Sequence, residues 1–586
     1  MRDTTVAPIT RGFCARWTPR REEAAPAEFS VVDRVLWARR IVPGTPEAAS
    51  FLEPSLMHLH DPSLLPGLEA AAARILRAAR SGERIVVYGD YDVDGVSASA
   101  VLWHTLRALS PGADVGTYIP HRVDEGYGLN PGAIRELCAA GAAVIVSVDC
   151  GVTAVESASA ARAAGCDLII TDHHNLPEGP LPDAFAIVHP RLPGSAYPFG
   201  DLCGAGVAFK LAWRLMTMAH GSSRLSPELR DLLLELLGLT SLGVIADIVP
   251  LLGENRTIAR FGLARIKHSR VEGLRALVHA SGLAGEKVRE EDVGFRLGPR
   301  LNACGRMGHA REALELLTTA TGARAIELAD QLSRQNDERR AAERRMADQA
   351  ADMAEAEGMT GPARRAIVLA HDDWHTGVVG IVCSRLVERF HRPVILMRCA
   401  GGECHGSGRS IEGFSLHGAL ARCSHLLLGF GGHDAAAGLR LETTRLAEFR
   451  EAFTAVANES IGPEELTKLN RWDADATLED LTVEGVRGLS MLAPFGAGNP
   501  CVALRVPGVR LAARPELFGA NANHLGMHVR SPGGRVMRVV AWNWANRLER
   551  VARSGALDLW IEPQLSTWNG STRVEPRLLD AAEVAG

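Results

Sequence analysis

No stretch of the chain stays apolar for the ~18 residues that a membrane span needs; candidates such as LLLELLGLTSLGVIADIVPLL are broken by acids and glycines. The N-terminus carries arginines but no apolar core followed by a small-residue cleavage site, so export is not expected and the cytoplasm is. None of the 11 cysteines forms a CxxC pair, which removes a zinc ribbon, and a chain of 586 residues has no need of disulfide staples, so reduced, buried thiols are expected. The net charge is only -5, which gives no global pull toward a polyanion; nucleic-acid contacts must come from local arginine-rich faces. What remains, 46% hydrophobic and 23% charged residues, is the composition of a globular protein, and the length implies several domains at roughly 100–200 residues each.

Chemistry enters at Arg84 to Ser99, RIVVYGDYDVDGVSAS. Ile85 to Tyr88 read as a strand buried on both faces, and the run then breaks into Gly89 and three alternating acids, Asp90, Asp92 and Asp94. Carboxylates converging at a strand end repel unless a cation sits among them, which points to a divalent metal held by hard oxygen ligands. Capping of the following Ala/Ser-rich helix is the alternative explanation of the same acids. The strands AAVIVSVDCG, CDLIITDHH and FAIVHP follow, with Ala-rich helices between several of them, and this alternation predicts an open parallel sheet wound with helices. Ligands bind at the carboxyl ends of such strands, and two further strand ends carry Asp149 and the run Asp172, His173, His174. Asp247 lies within the apolar run SLGVIADIVPL, where an unpaired carboxylate is heavily penalised.

Downstream, VGFRLGPRLNACGRMGHAREAL brings Arg300, Asn302 and Arg306 onto a Gly- and Arg-rich connection; the arginines there either reach phosphate or pair with acids. Ala323 to Glu357, free of proline and rich in charges at three- and four-residue spacing, predicts one long helix that spaces two lobes. A second α/β lobe begins at Arg365, with Gly-rich clusters around Ser407, Arg409 and His433, where bare backbone amides can approach phosphate. From about Asn470 alternating apolar and polar residues with Gly and Asn turns suit a small antiparallel barrel. Arg530, Arg535 and Arg538, followed by Trp542 and Trp544, suit a single strand stacked on aromatics, although basic strands and buried tryptophans occur in any small barrel. MLAPFGAGNP, Met491 to Pro500, reads as a shaped linker rather than a site.

The ordered series GDYDVDG, SVDCG, TDHH and IADIVP resembles the motifs of the DHH phosphoesterase superfamily, and residues 75 to 580 are similar to its RecJ-like, single-strand-specific exonuclease branch. The resemblance implies two α/β lobes, a DHH-type parallel sheet and a DHH-associated domain, joined by a long helix and followed by an OB-like barrel. The division expected is a helical lead-in at 1–75, a DHH domain at 76–250, a helical connector at 251–361, a DHH-associated domain at 362–460 and an oligonucleotide-binding barrel at 470–582. Two ions, Mn²⁺ or Mg²⁺, are expected on Asp90, Asp92, Asp94, Asp149, His173 and Asp247, with Asp149 bridging, Asp92 on one ion and Asp94, His173 and Asp247 on the other. His174 would stand beside the phosphate, Asp172 would orient a ligand or anchor its loop, and Arg300, Asn302, Arg306, Ser407, Arg409, Gly432 and His433 would contact substrate.

The implied activity is removal of 5′-mononucleotides from the 5′ end of single-stranded DNA, in repair and recombination. A monomer is expected, with a single-strand-binding protein and a helicase as partners. One departure concerns the first metal: DHH enzymes of small phosphate compounds have His four residues before their DxD pair, where this chain has Tyr88, and Asp90 would take over that role. Two other readings are a DHH phosphodiesterase of oligonucleotides or cyclic dinucleotides, disfavoured by the barrel and the third Asp, and a nonhydrolytic replication scaffold, disfavoured by the retained acids and imidazoles.

Overall fold

The computed structural model of the chain describes residues 9–122, 124–568 and 570–584. It divides into two compact units: Glu53–Arg339 with Ala493–Pro500, and the residues up to Leu52 with Arg340–Leu492 and the chain from Cys501 onward.

The first unit is built on a five-stranded parallel sheet ordered Val115–Tyr118, Arg84–Gly89, Ala142–Val148, Asp167–Thr171, Ala186–Val188. Alternation along the strands feeds two separate cores. Ile85, Val87, Val144, Val146 and Ile169 pack on one face, and Val86, Tyr88, Ile145, Leu168 and Ile170 on the other. The register sets Gly89 opposite Val148 and Val148 opposite Thr171, so the next residues, Asp90, Asp149 and Asp172, leave the sheet along one rim. The chain order also reverses between Arg84–Gly89 and Ala142–Val148, which makes that rim a topological switch point where open sheets bind ligands. Helices Gly204–His220 and Pro227–Ala246 pack on Val93–Leu109, the helix that follows the first strand.

The second unit holds a five-stranded mixed sheet ordered Gly429–Gly432, Ala436–Glu442, Glu403–Arg409, Val394–Ala400, Ile367–Ala370, flanked by helices Thr376–Phe390 and Leu446–Ser460. It also holds the barrel. Strands Leu504–Leu511, Leu557–Glu562, Arg577–Glu583, Val536–Ala541 and His524–Arg530 pair in turn, and Arg510 opposite Arg530 closes the ring. The expected class is therefore present: two α/β sheets, the 35-residue helix Gly322–Ala356 and a closed five-stranded barrel. Among the described residues no helix is long and apolar enough to cross a membrane.

Two details depart from expectation. The N-terminal stretch is not purely a helical lead-in: Arg16–Pro19 runs parallel to Leu469–Trp472, and fully buried Trp17 donates to Asp580 of the barrel. Local composition did not reveal this because the partners lie more than 400 residues away. The thiols are not all reduced, since Cys399 and Cys404 face each other across antiparallel strands and are joined as a disulfide. The Gly-rich ECHGSGR, Glu403–Arg409, is a strand of the mixed sheet. Gly406 and Gly408 are glycines there because a Cβ would come 2.4 Å from Met397 and 2.8 Å from Leu416.

Candidate metal centre

Asp92 ends the loop after the first strand and caps helix Val93–Leu109, its Oδ1 accepting from the amides of Asp94 (2.8 Å) and Gly95 (3.1 Å). The cap uses only one oxygen and leaves the other open to a cation, so the two readings of Asp92 do not exclude each other. Asp94 is buried, and its two oxygens accept from the first amides of helix Gly204–His220, Gly204 at 2.6 Å and Ala205 at 2.9 Å. That positive helix end steadies a carboxylate in the interior. Gly204 must lack a side chain, because a Cβ there would sit 2.5 Å from the Asp149 side chain. Asp149 itself is held at φ +63, a left-handed conformation uncommon for a residue with a Cβ and characteristic of constrained sites.

These elements bring all six expected ligands together. Donor atoms of Asp90, Asp92 and Asp149 lie within 4.8 Å of one another, as do those of Asp94, His173 and Asp247, and those of Asp149, His173 and His174. His173 Nε2 is 3.1 Å from Asp149, 3.6 Å from Asp247 and 3.8 Å from Asp94. Asp149 stands in two groupings, as a bridging carboxylate must.

Electrostatics make the cluster unfavourable by itself. Burial, then the charge of Asp92, pushes the Asp90 carboxyl up to about 8, and burial with Asp94 and Asp92 does the same for Asp247. Burial and the neighbouring acids raise Asp149 further, while Asp94 rises mainly through burial. Two unit charges 4 Å apart repel by about 4 kcal/mol at an effective dielectric of 20, so cations are needed to hold these acids ionised. Asp90 Oδ1 is buried without a hydrogen-bond donor, and His173 Nε2 faces the acids without forming an aligned hydrogen bond. Orphaned buried atoms of this kind fit an ion between them, and hard oxygens with one imidazole suit Mn²⁺ or Mg²⁺.

The two adjacent histidines are tuned oppositely. Burial lowers His173 to about 4, so the ring is neutral and free to donate a lone pair. Burial opposes charge on His174 as well, yet the hydrogen bond and charge of Asp172, 2.8 Å away, lift it to about 9. Asp172 is buried too, but His174 and the amides of Val152 and His174 hold it at about 2. Asp172 thus orients His174 and anchors the loop. Tyr88 does not face this cluster; its ring lies in the core of the other sheet face, with its hydroxyl on Gly128 O at 3.2 Å.

Sequence reasoning missed Tyr127, whose hydroxyl lies 3.0 Å from His174 Nε2 and 3.3 Å from Asp149 O. It also missed the amides of Gly204 and Ala205, for which the small-residue run CGAG at a helix start was the available signal.

The other expected contacts fare unevenly. Gly305 packs with its would-be Cβ 3.1 Å from Tyr91 O, which sets Arg306 beside the acidic loop, while Asn302 lies half-buried on the same helix, Gly298–Met307. Arg300 donates to Ser333 on the long helix and to Arg296 O. In the second unit Arg409 donates to Ser407 Oγ at 3.2 Å, and Arg409 pairs with Ala436 while Gly432 pairs with Ala437, so these residues share one end of the mixed sheet with exposed His433. On the barrel Arg538 is bound to Glu575, and Arg535 donates to the carbonyls of Glu479 and Leu481, whereas Arg530 is exposed. Trp544 is buried, but half-exposed Trp542, one of the two tryptophans expected to stack on a strand, meets His524 and Phe518 edge-on, ring centroids 4.5 and 5.6 Å away; the latter two were not marked by the sequence.

Comparison with known proteins agrees with this arrangement. Models of the DHH family N-terminal domain, the DHHA1 domain and the RecJ OB domain match residues 84–238, 364–459 and 472–580. The single-stranded-DNA-specific exonuclease RecJ of Bacillus subtilis is 39% identical over 91% of this chain, which spans 66% of that protein's length. The Escherichia coli protein of the same name is 36% identical over 81% of this chain and 83% of its own. The crystal structure of RecJ in complex with Mn²⁺ from Thermus thermophilus superposes with a TM-score of 0.78 at 32% identity, covering 95% of this chain and 76% of that one. A structure of exonuclease RecJ bound to manganese matches with a TM-score of 0.59 at 38% identity, over 70% of this chain and 98% of that one. With these three domain models matched in turn, and with relatives above 30% identity over most of both chains, the chain belongs to the RecJ family.

Proposed function

We propose that this chain is a metal-dependent exonuclease that hydrolyses single-stranded DNA from the 5′ end to 5′-mononucleotides, in repair and recombination in the cytoplasm. The observation that carries the reading is that Asp149 and His173 each stand in two of the three ligand groupings at the switch point of the parallel sheet. Similarity to single-stranded-DNA-specific exonucleases over most of the chain supports the substrate class.

In this reading Asp90, Asp92 and Asp149 hold one divalent cation, and Asp149, Asp94, His173 and Asp247 hold the other. When bound, such a pair supplies Lewis-acid charge to the attacking and leaving oxygens of an in-line displacement at phosphorus. The protein does the rest. His173, neutral, keeps its lone pair directed at the three carboxylates, and Asp172 keeps His174 protonated and oriented. The His174 proton is then placed to stabilise, or pass to, a phosphoryl oxygen. Arg306 beside the acidic loop, and Ser407, Arg409, Gly432 and His433 at one sheet end, are assigned to the DNA backbone, and Asn302 is kept with them. Arg530, Arg535, Arg538 and the Phe518–His524–Trp542 surface are assigned to the strand beyond.

The working division is a catalytic domain at 76–250, a connector at 251–361, a second α/β domain at 362–460 and a barrel at 470–582. We assign the active form to a monomer served by a single-strand-binding protein and a helicase. Manganese-dependent hydrolysis of a long single strand, a dinucleotide and a duplex tests the proposal. The long strand is expected to be degraded fastest and the duplex spared, and Asp149→Ala and His173→Ala are expected to abolish turnover. Equal rates on the dinucleotide, or full activity in both variants, would overturn it.

A further inference from the structure

The carboxylates of the centre differ in what holds them. Asp92 accepts two amides, Asp94 accepts two more from a helix end, and Asp172 is bound by Val152, His173 and His174. No N–H or O–H among the described residues hydrogen-bonds the Asp247 carboxylate, which lies 3.6 Å from His173 Nε2. Asp247 is the C-cap of helix Pro227–Ala246, at the negative end of that helix, where a carboxylate gains nothing from the backbone. Its place is therefore set by the turn that follows. That turn passes through Ile248 at φ +62, an outlier for a β-branched residue, and ends at Leu251 and Leu252, where helix Gly253–Ile266 begins.

What pins the far end of the turn comes from about 240 residues downstream in the sequence. Ala493–Pro500, the linker PFGAGNP with the alanine before it, belongs to the first unit although the chain on either side of it belongs to the second. Leu251 donates its amide to Ala497 O at 2.8 Å. A Cβ on Gly498, itself at φ +69, would lie 3.1 Å from Pro250 and 3.3 Å from Leu252, and one on Gly496 would lie 2.8 Å from Leu251. The segment is held from outside by buried Arg256 and half-buried Glu290, and from within by its own buried Asn499. Arg256, 2% exposed, donates to Ala493 O and Pro494 O; Asn499, 1% exposed, donates to Pro494 O at 2.8 Å; and Glu290 accepts from Phe495 N at 2.8 Å. Asn255, on the same helix as Arg256, closes the turn from inside by donating to Pro250 O at 3.1 Å.

We propose that Ala493–Pro500 is a positioning clasp for Asp247, fixing the turn 247–252 and thereby setting how tightly the cation shared by Asp247, His173 and Asp94 is held. The inference rests on the metal reading above. Residues behind a metal ligand typically change affinity by about 10–100-fold when altered, and a clasp on an otherwise unsupported carboxylate belongs in that range.

The test is a Mn²⁺ titration of the metal-free full chain, with free Mn²⁺ read by electron paramagnetic resonance. The wild type is expected to take two ions, and Asp247→Ala is expected to lose one. Gly498→Val, which strains an exposed glycine against Pro250, and Asn499→Ala, which loosens the clasp, are expected to weaken one ion about 10-fold and leave the other unchanged. Their kcat should fall at limiting Mn²⁺ and recover at saturation, with the KM for a single-stranded oligonucleotide unmoved. Gly519→Val, an equally strained position in the barrel at φ +89, should leave both ions in place. If Gly498→Val does not fold, Asn499→Ala decides. Wild-type affinity for both ions in the folded clasp variants, while Asp247→Ala loses one, would overturn the clasp and leave the metal reading standing. Two ions of unchanged affinity in Asp247→Ala would overturn both.

Discussion

Charged residues are handled in opposite ways at the rim of the parallel sheet and on the barrel. At the rim, five carboxylates, Asp90, Asp92, Asp94, Asp149 and Asp247, converge with His173 as the nearest imidazole, and two buried polar atoms are left without hydrogen bonds. On the barrel several arginines are already paired with acids, Arg538 with Glu575, Arg505 with Asp475 and Arg577 with Glu562. A basic strand therefore says little about a polyanion when its arginines are bound within the protein. A set of acids left uncompensated in the interior says a good deal, because each would cost several kcal/mol to keep ionised without a cation. On the barrel the exposed aromatic surface and Arg530 are open to a ligand as they stand, whereas Arg538 must first release Glu575.

Substitutions at the two regions should separate by orders of magnitude. Asp149→Ala is expected to lower kcat for single-strand hydrolysis by roughly 10³-fold or more, since it removes a carboxylate common to two groupings and electrostatic stabilisation is usually the largest catalytic contribution. A residual rate within tenfold of wild type would break the contrast from the acidic side. Trp542→Ala should leave hydrolysis of short strands intact and weaken binding of long ones by about 1–3 kcal/mol, roughly 5- to 150-fold, in a fluorescence-anisotropy titration. Unchanged affinity for long strands would break it from the barrel side.

Two pH experiments sharpen the comparison. His174 owes its charge at neutral pH to Asp172, so the basic limb of the kcat profile, near 9 in the wild type, should move toward about 6.5 in Asp172→Asn, with activity lost as pH rises through that value. A limb that stays near 9 would show that Asp172 does not tune His174. Metal removal reads the acids directly. Asp90 and Asp247 in the metal-free fold sit near 8, against about 4 when unfolded, so the folded state holds extra protons between those values. Their contribution to the stability of the metal-free protein is fully present below about pH 4, falls as pH rises and levels off above about 8. The increase in Tm on adding Mn²⁺ should therefore grow from pH 5 to pH 8, reaching about 3 kcal/mol of stabilisation at a hundredfold excess over Kd. An increase that is the same at both pH values would count against the cluster. The smallest effect is expected for Arg538→Ala, which removes an internal ion pair and should change the salt slope of DNA binding by less than about one.

How much of this was legible in the sequence follows from range. The acids at strand ends could be found because a strand that feeds two cores shows an unbroken apolar run, and the polar residue ending each run marks the rim: Asp90 after RIVVYG, Asp149 after VIVSV and Asp172 after LIIT. The charge state of the histidines was not legible, because Asp172 and His174 are tuned by burial and by amides from Val152. Nor were the partners of the barrel arginines, since Arg538 meets Glu575 only once the strands are paired. The same holds for Arg16–Pro19, which finds its strand partner at Leu469–Trp472, and for PFGAGNP, which reads as a linker until Leu251 is seen on Ala497. Local pattern therefore located the chemistry, and pairing between distant residues decided which neighbouring charges were free to take part.

The most direct test of the central claim is anomalous diffraction from a crystal of the protein soaked in Mn²⁺. Two peaks about 3.5–4 Å apart are expected, one against Asp90, Asp92 and Asp149 and the other against Asp149, Asp94, His173 and Asp247. A centre with no Mn²⁺ at those residues, or with density confined to other acids, would contradict it.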